Sequence, residues 1–133
     1  MTTDAEAIEI VKTYLAACEA RDFDTADGLA ADDLEMIFPG GVSLPRPSAV
    51  AGNSGSRYRR IGKRFDGFDV ARNEDGRMIV YSYGVLVGEW LDGEAFDDIR
   101  FIDRFEVADG KITSQRVWND SGEARIARMG KAA

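Results

Sequence analysis

The sequence has no histidine, a single cysteine (Cys18) and only three prolines among 133 residues. Without histidine there can be no Ser-His-Asp or Cys-His catalysis, and no zinc, iron or copper site with a histidine ligand. One thiol excludes an intrachain disulfide. No stretch approaches the roughly 20 unbroken apolar residues of a membrane-spanning helix. Positive charge is also in short supply: 17 basic residues against 24 acidic ones leave a net charge of −7. A field of that sign repels phosphate backbones and anionic lipid, which argues against nucleic-acid and membrane partners. Residues Met1 to Glu6 are acidic and lack the basic start and apolar run of a signal peptide, so the cytoplasm is the expected compartment. Acid–base work near neutral pH falls to carboxylates, tyrosine, lysine or water, and neither metal nor organic cofactor is expected.

What is there is globular in composition, 44% apolar and 31% charged. The length suits one domain over residues 1–133 and is too short for two good cores. Thr3-x-x-Glu6 is a capping box, and Ile8, Val11, Leu15 and Cys18 follow at helical spacing, flanked by Ala7, Tyr14 and Ala17. Asp22 is placed to cap a second helix over Phe23 to Ala31, and Leu34 to Phe38 reads as a first strand. Pro39, Pro45 and Pro47, beside Gly40-Gly41, predict an extended loop. A third helix is predicted over Ser56 to Phe65, with Tyr58, Ile61 and Phe65 on one side. Arg57, Arg59, Arg60, Lys63 and Arg64 occupy its other faces, where a solvated surface outweighs an anion site.

Beyond Phe68 the pattern turns to strands, Met78 to Trp90, Asp98 to Val107 and Ile112 to Asn119, punctuated by three Asp-Gly turn signals. A short helix over Ala124 to Arg128 ends the pattern. Helices first and antiparallel strands after predict an α+β fold: helices packed on one face of a strongly curved sheet that encloses a pocket.

Three places carry candidate chemistry. Phe101, Asp103, Phe105 and Val107 alternate onto one strand face, which sets a carboxyl among apolar neighbours. Desolvation there would raise its pKa and make it a hydrogen-bond donor, unless an arginine or backbone amide satisfies it. Gln115, Val117 and Asn119 share a face of the last strand, and Asp120 stands where that strand ends, as a helix cap or at a pocket mouth. Trp118 faces the other way, toward a subunit contact or the monomer interior.

From Ile8 to Met129 the sequence resembles the nuclear-transport-factor-2-like superfamily, whose cone-shaped, cystatin-like α+β fold holds a deep pocket. The resemblance rests on Val11-Lys12-Thr13-Tyr14, Arg21-Asp22-Phe23-Asp24, Ile102-Asp103-Arg104-Phe105 and Asp109-Gly110-Lys111-Ile112. In the ketosteroid isomerases of that fold, a helix tyrosine and a strand aspartic acid form an oxyanion hole, and Tyr14 and Asp103 match them. The isomerase base is an aspartate before a proline; here that place is Phe38, before Pro39. The tyrosine–asparagine and arginine–aspartate machinery of limonene-epoxide-hydrolase-like members falls on Met36, Phe38, Gly84 and Leu86, and is missing. In SnoaL-like cyclases an aspartate closing the last strand is the acid–base residue; Asp120 matches it, while Gln115 stands where a histidine often does.

The resemblance implies a SnoaL-like pocket protein for a small, apolar, oxygen-bearing organic ligand. If it is an enzyme, Tyr14 and protonated Asp103 hold an oxyanion and Asp120 exchanges the proton, in a cyclase, isomerase or hydratase step. Phe38, Phe101, Phe105, Gln115, Val117 and Asn119 line the pocket in this reading. The alternative is a non-catalytic ligand-binding or dimerisation domain. A homodimer is expected in either case.

Overall fold

The computed structural model describes residues 2–132. Helix α1 (Asp4–Glu19) starts at Thr3, whose side chain accepts the Glu6 N–H at 3.1 Å and donates to Glu6 Oε1 at 3.0 Å. These bonds occupy a helix-end group that no intrahelical partner can reach. The buried stripe of α1 runs through Ala7, Val11, Tyr14, Leu15 and Ala17, so Tyr14 lies at its centre and Ile8 and Cys18 at its margins. The helix closes with Arg21 N–H donating to Cys18 O at 3.2 Å and Asp22 N–H to Ala17 O at 2.8 Å. Arg21 itself has φ 61°, in the left-handed region.

Asp22 caps α2 (Phe23–Leu29) through Thr25, with the backbone N–H at 3.3 Å and the hydroxyl at 2.7 Å. This helix stops two residues sooner than its pattern suggests, because Ala30 and Ala31 already belong to strand β1 (Ala30–Phe38). The proline-rich segment is not wholly irregular. It turns at Gly40-Gly41 into β2 (Val42–Leu44), then forms the short helix α3 (Ala49–Gly55). Three long strands follow, β3 (Tyr58–Arg72), β4 (Met78–Trp90) and β5 (Ala95–Ala108), then β6 (Lys111–Asn119) and the final helix α4 (Ser121–Ala132). None of the described helices is long and apolar enough to cross a membrane.

The strands form one curved sheet in the order β2-β1-β6-β5-β4-β3, antiparallel except for the β1–β6 pair. The helix expected over Ser56 to Phe65 is therefore strand: β3 pairs with β4 from Tyr58↔Trp90 to Arg72↔Met78. Two register shifts, between Tyr58 and Arg60 and between Phe65 and Gly67, break its alternation and imitate a helical period. Gly84 and Gly88 on β4 let β3 fold in close. A Cβ there would stand 2.0 Å from Arg64 O and 2.2 Å from Arg60 O.

Burial falls into two clusters. One joins α1 to the sheet through Val11, Tyr14, Met36, Val80, Phe105 and Ile112. The other gathers Tyr58, Leu86, Trp90, Phe96, Ile99 and Phe101 where β3, β4 and β5 come together. The space with chemical interest has walls drawn from both.

Candidate functional site

A cavity of about 120 Å³ is lined from α1 by Leu15, Cys18 and Glu19, and from the sheet by Phe38, Lys63, Phe101, Asp103, Gln115, Val117 and Asn119. Holding one water takes about 10–15 Å³, so the space admits a guest of several heavy atoms. Val50, Asn53, Ser54 and Arg57 close it from the side of α3.

Asp103 is the buried carboxyl of this wall, fully inaccessible to solvent. Its neighbours across the sheet are Ser82 and Val117. Among the described residues neither carboxyl oxygen finds a hydrogen-bond donor, nor does the Ser82 hydroxyl find a partner. Among the described residues the charged contact of Asp103 is Lys63, whose Nζ stands 3.6 Å from Oδ2, an ion-pair distance rather than a hydrogen bond. Lys63 also lies over the Phe101 ring, 5.4 Å from its centroid. Burial pushes the Asp103 carboxyl above the ordinary carboxylate range, and the Lys63 ammonium opposes that shift without cancelling it.

Tyr14 does not face the cavity. Its hydroxyl donates to Gln115 Oε1 at 2.9 Å, and its ring meets Phe105 edge-on at 6.0 Å. Desolvation, followed by the nearby Cys18, raises its pKa and keeps it a neutral donor. Gln115 thus stands between Tyr14 and the cavity that it lines. The expectation that Tyr14 and Asp103 reach for one ligand oxygen is corrected to a chain in which Tyr14 orients Gln115. Phe105 is likewise corrected from pocket wall to core: it is fully buried against α1 and is absent from the lining. Alternation gives the face but not the depth, and Phe105 lies four residues further along β5 than Phe101.

Asp120 neither caps α4 with its side chain nor lines the cavity. Its carboxylate is held by Arg100 Nε at 2.5 Å. Asn119 Oδ1 accepts the Ser121 N–H at 3.0 Å where that helix begins, while Asn119 also lines the cavity. Phe38, Phe101, Gln115, Val117 and Asn119 line the cavity. Lys63 was missed, as one of the cations of a presumed solvated helix face. Its signal was its inward parity with Ile61 and Phe65, legible only once the segment is known to be strand. Cys18 also lines the cavity, but burial pushes its thiol upward, away from the thiolate form.

No family model and no curated protein matches this sequence. Solved structures do match in fold. A nuclear-transport-factor-2-like protein of unknown function from Burkholderia pseudomallei superposes with a TM-score of 0.74 at 13% identity, over 90% of this chain and 94% of that one. TerC, co-crystallised with polyporic acid, gives 0.71 at 16% identity over 90% and 95%. A Catenulispora acidiphila protein with a ketosteroid isomerase-like fold, in complex with trimethylamine, gives 0.65 at 16% over 83% and 84%. The fold of this chain is nuclear-transport-factor-2-like, as the sequence resemblance implies.

Proposed function

We propose that this chain uses its nuclear-transport-factor-2-like cavity to bind a small, largely apolar organic molecule, one of whose oxygens meets Asp103. The observation that carries the reading is Asp103 itself: a carboxyl in a cavity wall, wholly buried, with no hydrogen bond from the described residues. Leaving such a group unpaired costs about 1–3 kcal/mol, and a ligand oxygen there recovers it. With its pKa raised, Asp103 donates a proton or a hydrogen bond to a carbonyl, and Lys63 beside it stabilises negative charge on that oxygen. Gln115, fixed by Tyr14, and Asn119 add polar groups to an otherwise apolar lining.

The chemistry this set supports is polarisation of a carbonyl or enol, as in an isomerase, cyclase or hydratase step. Asp120 has no part in it, because Arg100 holds its carboxylate. A second reading, a non-catalytic binding domain, is favoured by Phe38, an apolar side chain in the wall where the isomerases carry their base. In both readings two copies associate through the outer sheet face. There Trp118 is 52% exposed and Ile102 is 39% exposed, directly opposite each other in register.

Bicyclic aromatic ketones test the shared part. They should bind the wild-type chain, and bind Asp103→Leu about tenfold more weakly or worse. Equal binding removes Asp103 from the site.

A further inference from the structure

We infer that the natural occupant of this cavity carries an acid group, received at the mouth by Arg21 and Arg57 while the apolar body points inward. The inference rests on the pocket reading above and adds the charge class of the ligand. Arg21, Arg57 and Lys63 line the cavity against only two carboxyls, Glu19 and Asp103, in a chain whose net charge is −7. The cavity thus reverses the sign of the whole. Neither Arg21 nor Arg57 forms an ion pair among the described residues, whereas Lys63 is matched to Asp103. Two guanidinium groups at one opening offer forked donors to a carboxylate or another oxygen acid.

The backbone gives an independent pointer. Arg21 occupies the left-handed position that closes α1, with φ 61° and with the hydrogen bonds from Arg21 to Cys18 and from Asp22 to Ala17 on either side. Glycine is the usual residue at that position because it has no Cβ to crowd the following carbonyl. An arginine there carries a conformational cost that glycine would not. The residue so placed is exposed and lines the cavity. At the other side Arg57 is half-buried just after α3, its N–H donating to Ser54 O at 3.0 Å. The two arginines reach the cavity from different segments, Arg21 from the turn after α1 and Arg57 from between α3 and β3.

Two probes separate this inference from the reading beneath it: 2-naphthoate, which is anionic, and 2-acetylnaphthalene, which has the same bicyclic body and no charge. Titrations followed by NMR should show 2-naphthoate binding wild type on the order of tenfold more tightly, with the ratio shrinking as salt is raised. Arg57→Gln should reduce that preference and Arg21→Gly with Arg57→Gln should abolish it. Arg64→Gln, an exposed cation outside the cavity, should leave the ratio alone. Arg21→Gly should also raise the melting temperature, since it relieves the strained position. Equal affinity of wild type for the two probes, a preference that survives the double substitution, or an Arg21→Gly variant no more stable than wild type would overturn the inference and leave the pocket reading standing. Failure of both probes to shift the Phe101 and Val117 resonances would remove both.

Discussion

Lys63 and Asp103 meet across a strand that separates them. Lys63 belongs to β3 and Asp103 to β5, yet Nζ and Oδ2 are 3.6 Å apart, with the whole of β4 between their backbones. In register Lys63 faces Leu86 and Asp103 faces Ser82, so the lysine stem reaches diagonally along β4, past Gly84. The ammonium lowers the Asp103 pKa that desolvation raises. Lys63→Met therefore should raise the Asp103 midpoint further, read from its carboxyl carbon in an NMR pH titration. A midpoint that falls or stays put would mean that the two groups do not interact.

Burial of Asp103 also has a sign in stability. Its folded-state pKa lies above the unfolded value of about 3.9, so the folded chain binds this proton more tightly. The group's favourable contribution is complete below the unfolded pKa and is lost as pH rises to the folded one. Wild type should lose stability relative to Asp103→Asn as pH rises from about 4, by about 1.4 kcal/mol for each unit separating the two values. Urea melts of both proteins across that window test it; a difference independent of pH would count against a raised carboxyl.

Tyr14→Phe should destabilise the fold by about 1–3 kcal/mol, because it leaves Gln115 Oε1 buried without its donor. The same change frees Gln115 within the cavity wall. Ketone affinity should therefore move along with stability, as expected of a residue that positions another.

Gly84→Ala puts a methyl carbon about where the Arg64 carbonyl oxygen already is, 2.0 Å from it. The strand β3 must shift outward, so the variant should lose roughly 1–3 kcal/mol and, with Lys63 displaced from Asp103, lose ligand binding too. Denaturation and binding measured together check this.

On the outer face Trp118→Glu should convert a dimer into a monomer, seen as a halved mass in light scattering. A wild-type chain that is already monomeric at micromolar concentration would remove the association proposal.

The legible and illegible parts of this molecule differ in how regularly the backbone repeats. Asp103 could be read as inward because β5 pairs without interruption from Phe101 to Phe105 with both neighbours, so a period of two holds. Lys63 could not, because register shifts on either side of it spoil the period, and Tyr58, Ile61 and Phe65 then fall at helical spacing. Tyr14 could be placed on the buried side of α1, but its partner Gln115 lies 101 residues away and nothing local announces the pairing. Asp120 sits beyond the strand end, where alternation no longer fixes direction, and Arg100 decides it. The Asp-Gly turns were plain: Asp109 and Gly110 take φ 52° and 75°, the left-handed pair that a two-residue hairpin needs.

Titration of the Asp103 carboxyl carbon in wild-type protein, alone and saturated with 2-acetylnaphthalene, tests most directly whether this acid receives the ligand. A midpoint well above about 3.9 in the free chain, moving higher when the ketone binds, is the predicted result, since a carbonyl accepts only from the protonated acid. An ordinary midpoint, or one indifferent to the ketone, would contradict the claim that this buried carboxyl receives the ligand.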